Sequence, residues 1–296
     1  METNDLEVFH SKKIMASYGF AKFIEEFLAI AFGAYGFFYY ESEIGLNVWL
    51  TSFGYILFAI WNAINDPLMG YLTNRPFKFT KKWGRRFPWI LMSGIPWILC
   101  YVLIFTPPNV NPQSGAWILF AWLVFSTCLF DTFGSIFVVS FTSLFPDKFR
   151  SIKERIIASG VSTPVGVVGI ALGSILPPLF ITFGDLQSYV VQAGVVVITL
   201  FVALILSIPG LRDDQACVDL YLAKCEEKPE KTSFVKVLKF TLRHKNFLIY
   251  IFCYILYQFL TVSMTASIPY LVRFVLKMQA DAITIVMAGF LVGALI

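Results

Sequence analysis

Long apolar runs separated by short polar stretches dominate the sequence. Eight such runs occupy residues 18–40, 46–72, 88–105, 116–141, 156–183, 189–208, 247–274 and 282–296. A helix of roughly 20 apolar residues crosses the ~30 Å hydrocarbon core of a bilayer. The runs are continuous and do not alternate apolar with polar positions, which favours helices over a β-barrel. The pattern predicts an all-α polytopic membrane protein in which the eighth span has only begun.

Composition narrows the class of protein. A mean hydropathy of +0.72, with 57% hydrophobic and 14% charged residues, excludes an ordinary soluble domain. The net charge of +4 comes from basic residues at the membrane borders, so lipids are expected partners and nucleic acid is not. The five cysteines lack zinc-ligand spacing, and His10 and His244 flank the spans. Neither an enzyme nor a cofactor-binding protein is expected, because no catalytic or metal motif appears.

Basic residues in the short loops predict the orientation in the cell membrane. The alternate loops are nearly free of basic residues, whereas two loops are rich in them. These are the loop between spans 2 and 3, with Arg75, Lys78, Lys81, Lys82, Arg85 and Arg86, and the loop between spans 4 and 5, with Lys148, Arg150, Lys153 and Arg155. The N-terminus and the charged loop 210–246 are therefore expected in the cytoplasm.

The order of spans predicts four segments. A cytoplasmic segment (1–16) precedes a six-helix bundle (17–209), a central cytoplasmic loop (210–246) and the start of a second bundle (247–296). Six spans, a long charged loop and further spans form the layout of a major facilitator transporter. On that layout the sequence is expected to be the first part of a protein of roughly 12 spans.

Polar residues inside span 2 are the first candidate site. Asn62, Asn65 and Asp66 lie at positions i, i+3 and i+4, so they share one helix face. Pro67 removes a backbone donor from the carbonyl of Ala63, which predicts a partly unwound, oxygen-rich helix. Such a site suits a small hard cation or a proton, with Asp66 as a possible Na⁺ ligand. The alternative is that Asp66 only caps a break at the proline.

Two other spans add acidic residues. Glu25 and Glu26 in span 1 and Asp131 in span 4 are expected near Asp66, because buried carboxylates normally face a functional cavity. Since Glu25 and Glu26 point about 100° apart, only one of them is expected to face Asp66 and Asp131. Glu25 would alternatively pair with Lys22 in its own helix, and Asp131 would alternatively anchor two helices by hydrogen bonds. Trp61, beside the polar face, is a candidate for substrate contact.

The residues of spans 1 to 3 also resemble a known family. Residues 61–70, W-N-A-I-N-D-P-L-M-G, resemble the W-D-x-x-N-D-P-x-x-G of the glycoside–pentoside–hexuronide:cation symporters, the melibiose permease-like family of the major facilitator superfamily. Residues 83–90, W-G-R-R-F-P-W-I, resemble that family's next motif, and the opening S-Y-G-F at 17–20 supports the match. The resemblance implies a cation-coupled symporter that works by alternating access.

The resemblance to this family implies functional roles for individual residues. Asn65 and Asp66 would be cation ligands for Na⁺ or H⁺, and Glu26 and Asp131 would bind sugar hydroxyls. A conformational switch loop is implied at Gly70, Asn74, Arg75, Gly84, Arg85 and Arg86. Asn62 stands where the family has its first cation-site aspartate, and Glu25 where it has a lysine.

These departures keep alternatives open. The prediction is a monomeric symporter of a sugar or glycoside, and the alternatives are a lysophospholipid or other nonsugar substrate, or a non-transporting membrane protein with the same fold.

Overall fold

Eight helices of 15 or more residues follow one another in the described part of the chain. The computed structural model describes residues 9–74, 77, 80–214, 218 and 243–295. The helices are α1 (Lys12–Phe38), α2 (Val48–Thr73), α3 (Phe87–Ile104), α4 (Ala116–Lys148), α5 (Ile152–Ile175), α6 (Leu186–Leu211), α7 (Lys245–Tyr270) and α8 (Asp281–Leu295). A short helix, Thr80–Trp83, precedes α3, and a 3₁₀ turn, Pro177–Phe180, follows α5. No strand occurs among these residues, so the predicted all-α class is confirmed.

Six of the helices, α2 to α7, are long and apolar enough to cross a membrane, as judged over the described part of the chain. α1 is long enough at 27 residues, but Lys22, Glu25 and Glu26 lie in its middle. α8 has 15 described residues. α4 does not end near residue 141 as predicted; it continues to Lys148, and its 33 residues span about 50 Å. Its last turns therefore extend beyond a ~30 Å hydrocarbon core.

α1 occupies the middle of the bundle. It packs against α5, α6 and α7, while α2 packs on α4, and α3 on α4 and α6. Glycines of α5 allow a close approach to α1, in keeping with their small size. A Cβ at Gly169 would lie 2.6 Å from the carbonyl oxygen of Phe23, and one at Gly173 would lie 2.8 Å from that of Phe27. The backbones of α1 and α5 are thus in direct contact.

The helix that carries the candidate site is continuous. α2 runs without a break through Pro67, so the predicted unwinding at that proline is not observed. A proline inside a helix removes one backbone hydrogen bond. Membrane helices tolerate this loss without unwinding. Most of the predicted loop 210–246, and both Arg75 and Lys78, fall outside the described residues.

α1 and α7 end in the same unusual way. Each passes into a five-residue π-helical segment, Tyr39–Glu43 after α1 and Leu271–Val275 after α7. In each segment the first carbonyl accepts a bond from the amide five residues on, at 2.9 Å in both cases, and the next carbonyl accepts one from the amide six residues on, at 3.0 Å. Left-handed residues then stop both helices at corresponding positions, Gly45 at φ 80° and Lys277 at φ 55°. The ends of α1 and α7 thus have the same backbone hydrogen-bonding pattern.

Candidate functional site

The polar residues predicted on α2 meet α4. The amide Nδ2 of Asn62 donates to Oδ1 of Asp131 at 2.6 Å, and Nδ2 of Asn65 donates to Oδ2 at 3.0 Å. Residues three apart on a helix share a face, so both amides reach one carboxylate. Asp131 is 8% exposed and Asn65 is 0% exposed. The anchoring of two helices by Asp131, which sequence analysis left open, is present in the structure.

A second pair of bonds lies beside the first. Oγ of Ser135 donates to Oδ1 of Asp66 at 2.5 Å, and Nε1 of Trp61 donates to Oγ1 of Thr132 at 3.0 Å. Ser135 and Thr132 were not among the residues predicted from the sequence. The available signal was spacing, because Asp131 and Ser135 lie four residues apart and so share one face of α4. We call Asn62, Asn65, Asp66, Asp131 and Ser135 the α2–α4 cluster.

One oxygen of this cluster lacks a donor. Oδ1 of Asn65 is buried and accepts no hydrogen bond from the described residues. A buried polar atom without a partner is uncommon and calls for an explanation such as an ion or water. Amide, hydroxyl and carboxylate oxygens are the ligands that hard cations prefer. The donor set therefore fits a small cation.

The hydrogen bonds to Asp131 give Asn62 and Asp131 different roles, because Asn62 donates and Asp131 accepts. Both oxygens of Asp131 accept an amide N–H, and this arrangement suits the ionised, acceptor-only carboxylate. Asn62 thus presents a donor to Asp131. Asp66 is exposed and close enough to Asp131 for the two carboxylates to interact electrostatically.

The acidic residues of α1 stand apart from the α2–α4 cluster. Glu25 and Glu26 are both half-buried, and neither forms a hydrogen bond or an ion pair with any residue that the structure describes. Lys22 likewise makes no ion pair within that part of the chain; its methylene groups lie about 3 Å from where a Cβ of Gly166 would stand. α1 packs mainly on α5, so the structure does not bring these glutamates into hydrogen-bonding distance of Asp66 or Asp131.

The predicted switch-loop residues gather at the end of the bundle where α1 begins. Oδ1 of Asn74 accepts bonds from Nη2 of Arg85 at 2.7 Å and from Nη2 of Arg86 at 2.8 Å. The carboxylate of Asp147, at the end of α4, lies 3.6 Å from Arg85 and 3.8 Å from Arg86. Gly70 lies within α2, in ordinary contact with Val139.

Asp213 binds the backbone N–H groups at the start of α3. Its Oδ2 accepts the backbone N–H of Arg86 at 2.9 Å and that of Phe87 at 3.1 Å. Gly84 has φ 92°, and a Cβ there would lie 2.1 Å from the same oxygen. Only glycine fits both the backbone and the space. Burial raises the pKa of Asp213, which sequence analysis did not single out because it follows the last predicted span of the first bundle.

His10 joins two other elements at the same end. Its Nδ1 lies 2.8 Å from Oε1 of Glu154, and its Nε2 lies 2.8 Å from Oδ2 of Asp214. Hydrogen bonding to Asp214, and less strongly to Glu154, raises the pKa of His10. The bond to His10 lowers the pKa of Asp214. Lys148, which donates to the Arg212 carbonyl at 2.6 Å, lies 3.8 Å from Asp214.

Comparisons with known proteins agree with this architecture. A family model described as an MFS/sugar transport protein matches residues 17–296. A sodium-dependent lysophosphatidylcholine symporter 1-A of Danio rerio is 34% identical over 114 residues, which cover 38% of this chain and 20% of that protein. The human sodium-dependent lysophosphatidylcholine symporter 1 is 25% identical over 185 residues, or 52% of this chain and 33% of that protein.

A sugar transporter is also similar. The isoprimeverose transporter of Lactiplantibacillus pentosus is 24% identical over 187 residues, which cover 62% of this chain and 38% of that protein. The matched stretches therefore span between 20% and 38% of these three relatives.

Proposed function

Because the chain belongs to the MFS/sugar transport family, we propose that it is a multi-pass cation-coupled symporter that works by alternating access. The observation that supports a coupling-ion site is the α2–α4 cluster, with a buried, unpartnered oxygen on Asn65 beside two carboxylates. We place the protein in the cell membrane with its N-terminus in the cytoplasm, as the basic loops predict.

The coupling ion, Na⁺ or H⁺, is bound by Asp66 and by Oδ1 of Asn65. Ser135 holds the Asp66 carboxylate through its hydroxyl and adds an oxygen of its own. Asn62 positions Asp131 and leaves one fewer formal charge than two facing aspartates would give. Relatives named as sodium-dependent symporters favour Na⁺ over H⁺.

The first substrate candidate is a sugar or glycoside, in keeping with the family description and the isoprimeverose transporter. Glu26 and Glu25 of α1, with Trp61 and Asp131, are the groups proposed to contact it. The second candidate is a lysophospholipid, because the zebrafish relative with 34% identity is a lysophosphatidylcholine symporter.

Uptake by the full-length protein in proteoliposomes tests the proposal. A sugar panel and lysophosphatidylcholine are offered under a Na⁺ gradient, a proton gradient and neither. Removal of a charged ligand costs about 1.5–3 kcal/mol of binding free energy. Asp66→Asn is therefore expected to raise the cation concentration that gives half-maximal uptake by roughly 10- to 100-fold. Ser135→Ala is expected to have a smaller effect in the same direction.

Ser135→Thr is the matched control, since it keeps the hydroxyl, and is expected to retain coupling. Coupled uptake that survives Asp66→Asn unchanged would move the cation site elsewhere. No uptake of any substrate under either gradient would overturn the symporter proposal.

A further inference from the structure

We propose that Glu43 and Arg273 form a latch that closes the end of the bundle where α1 and α7 finish, and that this latch must open during transport. The inference rests on the proposed function. Here the first half means α1 to α6, and the second half means α7 and α8. The latch joins the two halves at the end opposite the switch-loop residues.

An ion pair forms the centre of the latch. Nη1 of Arg273 donates to Oε1 of Glu43, whose side chain is 1% exposed, whereas that of Arg273 is 25% exposed. The carboxylate also accepts the hydroxyl of Tyr189 at 3.0 Å and the backbone N–H of Gly184 at 2.9 Å. A buried charge is tolerated when it is paired and hydrogen-bonded in this way. Loss of Arg273 would leave Glu43 buried without its counter-charge.

Aromatic rings surround the guanidinium. The Cζ of Arg273 lies 5.6 Å from the ring centre of Phe38, 5.3 Å from that of Phe183 and 5.4 Å from that of Phe274. Cation–π contacts within about 6 Å are attractive and strengthen when desolvated. Phe38 and Phe183 belong to the first half, so these contacts also join the halves.

The latch lies where the ends of α1 and α7 meet. Phe38 and Tyr270 are the residues just before the π segments of α1 and α7, and their rings contact each other with centres 5.0 Å apart. Tyr270 also donates to Oε2 of Glu41 at 2.8 Å. The two helix ends of matching geometry are therefore in direct contact. π-helical segments are frequent at functional sites.

The contact with the first half is concentrated at this end of α7. The buried residues of α7 are Thr265, Ile268 and Pro269, all near its end, whereas most residues between 245 and 260 are exposed. The halves therefore meet where Glu43 and Arg273 lie. Alternating access requires one end to be closed while the other is open, and the described part of α7 contacts the first half at the latched end.

Spin-label distances in the full-length protein test the latch without a substrate. Labels are attached at Val48→Cys and Met278→Cys, which are 48% and 50% exposed and lie outside the latch, after the native cysteines are changed to serine. Arg273→Gln and Glu43→Gln are each expected to raise the fraction of molecules with a longer label-to-label distance at least about fivefold. A change of this size is typical of the coupling free energy between two sites. The double variant is expected to shift the distances no further than either single one.

Two controls separate the latch from general damage. Arg243→Gln removes an exposed arginine just before α7 at its opposite end and is expected to leave the distances unchanged. Arg273→Lys keeps the charge without the planar guanidinium and is expected to give an intermediate shift. Unchanged distances in Arg273→Gln would overturn the latch. A shift in a protein that takes up no substrate would leave the latch standing and overturn only the transport proposal.

Discussion

Two amides of α2 hold the two oxygens of Asp131, and this bonding determines what a substitution at Asn62 would do. Nδ2 of Asn62 lies 2.6 Å from Oδ1 of Asp131. An aspartate in its place would bring two carboxylates together and replace attraction with repulsion. A bound cation would relieve that repulsion.

Asn62→Asp is therefore expected to lower stability in Na⁺-free buffer and to make stability rise with Na⁺ concentration. Thermal unfolding of the purified protein, measured with and without Na⁺, checks this. Asn62→Ala, which removes the bond without adding charge, is expected to show the loss and a smaller rise of stability with Na⁺ concentration, because Asp66 and Asn65 still bind the ion. Equal Na⁺ dependence in both variants would contradict the prediction.

His10 predicts how stability changes with pH. Glu154 and Asp214 face its ring, with Lys148 and Arg150 as the neighbouring cations. Because the pKa of His10 is raised, its contribution is complete below about pH 6.5 and is lost as pH rises through the raised pKa. The pKa of Asp214 is lowered, so its contribution is present above about pH 4 and is lost as pH falls through the lowered pKa.

His10→Gln is expected to remove about 1 kcal/mol of stability below about pH 6.5 and to flatten the decline above it. Unfolding by denaturant across that range is the measurement. A flat wild-type profile would show that His10 does not stabilise this end.

At the scale of elements, the contact between α1 and α5 depends on glycine. The Cβ of an alanine at Gly169 would lie 2.6 Å from the backbone oxygen of Phe23, and backbone cannot move aside as a flexible side chain can. The two helices would have to separate. The absence of a side chain at Gly169 is therefore what allows the two helices to approach so closely.

Gly169→Ala is expected to destabilise the protein by about 1–3 kcal/mol, as overpacking does. Gly160 is the matched control on the same helix, because nothing lies within 4 Å of its Cβ position. Gly160→Ala is expected to be neutral or slightly stabilising, since alanine favours helix. Thermal unfolding in detergent compares them, and equal losses would contradict the assigned contact.

At the scale of the whole molecule, two sets of contacts lie at opposite ends of the bundle. Arg85, Arg86, Asp147 and Asp213 join the helices of the first half at one end. Glu43 and Arg273 join the two halves at the other end. Such a distribution suits a transporter whose halves rock about a central site, and the distance measurements on the latch test it at this scale.

The local pattern of the chain determined the helices and their class. Continuous apolar runs predicted eight spans, and spacing along α2 placed Asn62, Asn65 and Asp66 on one face, because helical periodicity is a local property. Tertiary structure alone decided that Asp131 binds both amides, that Ser135 holds Asp66, and that Glu43 meets Arg273. Those contacts depend on how helices distant in sequence rotate and pack against one another, and no local pattern specifies that rotation.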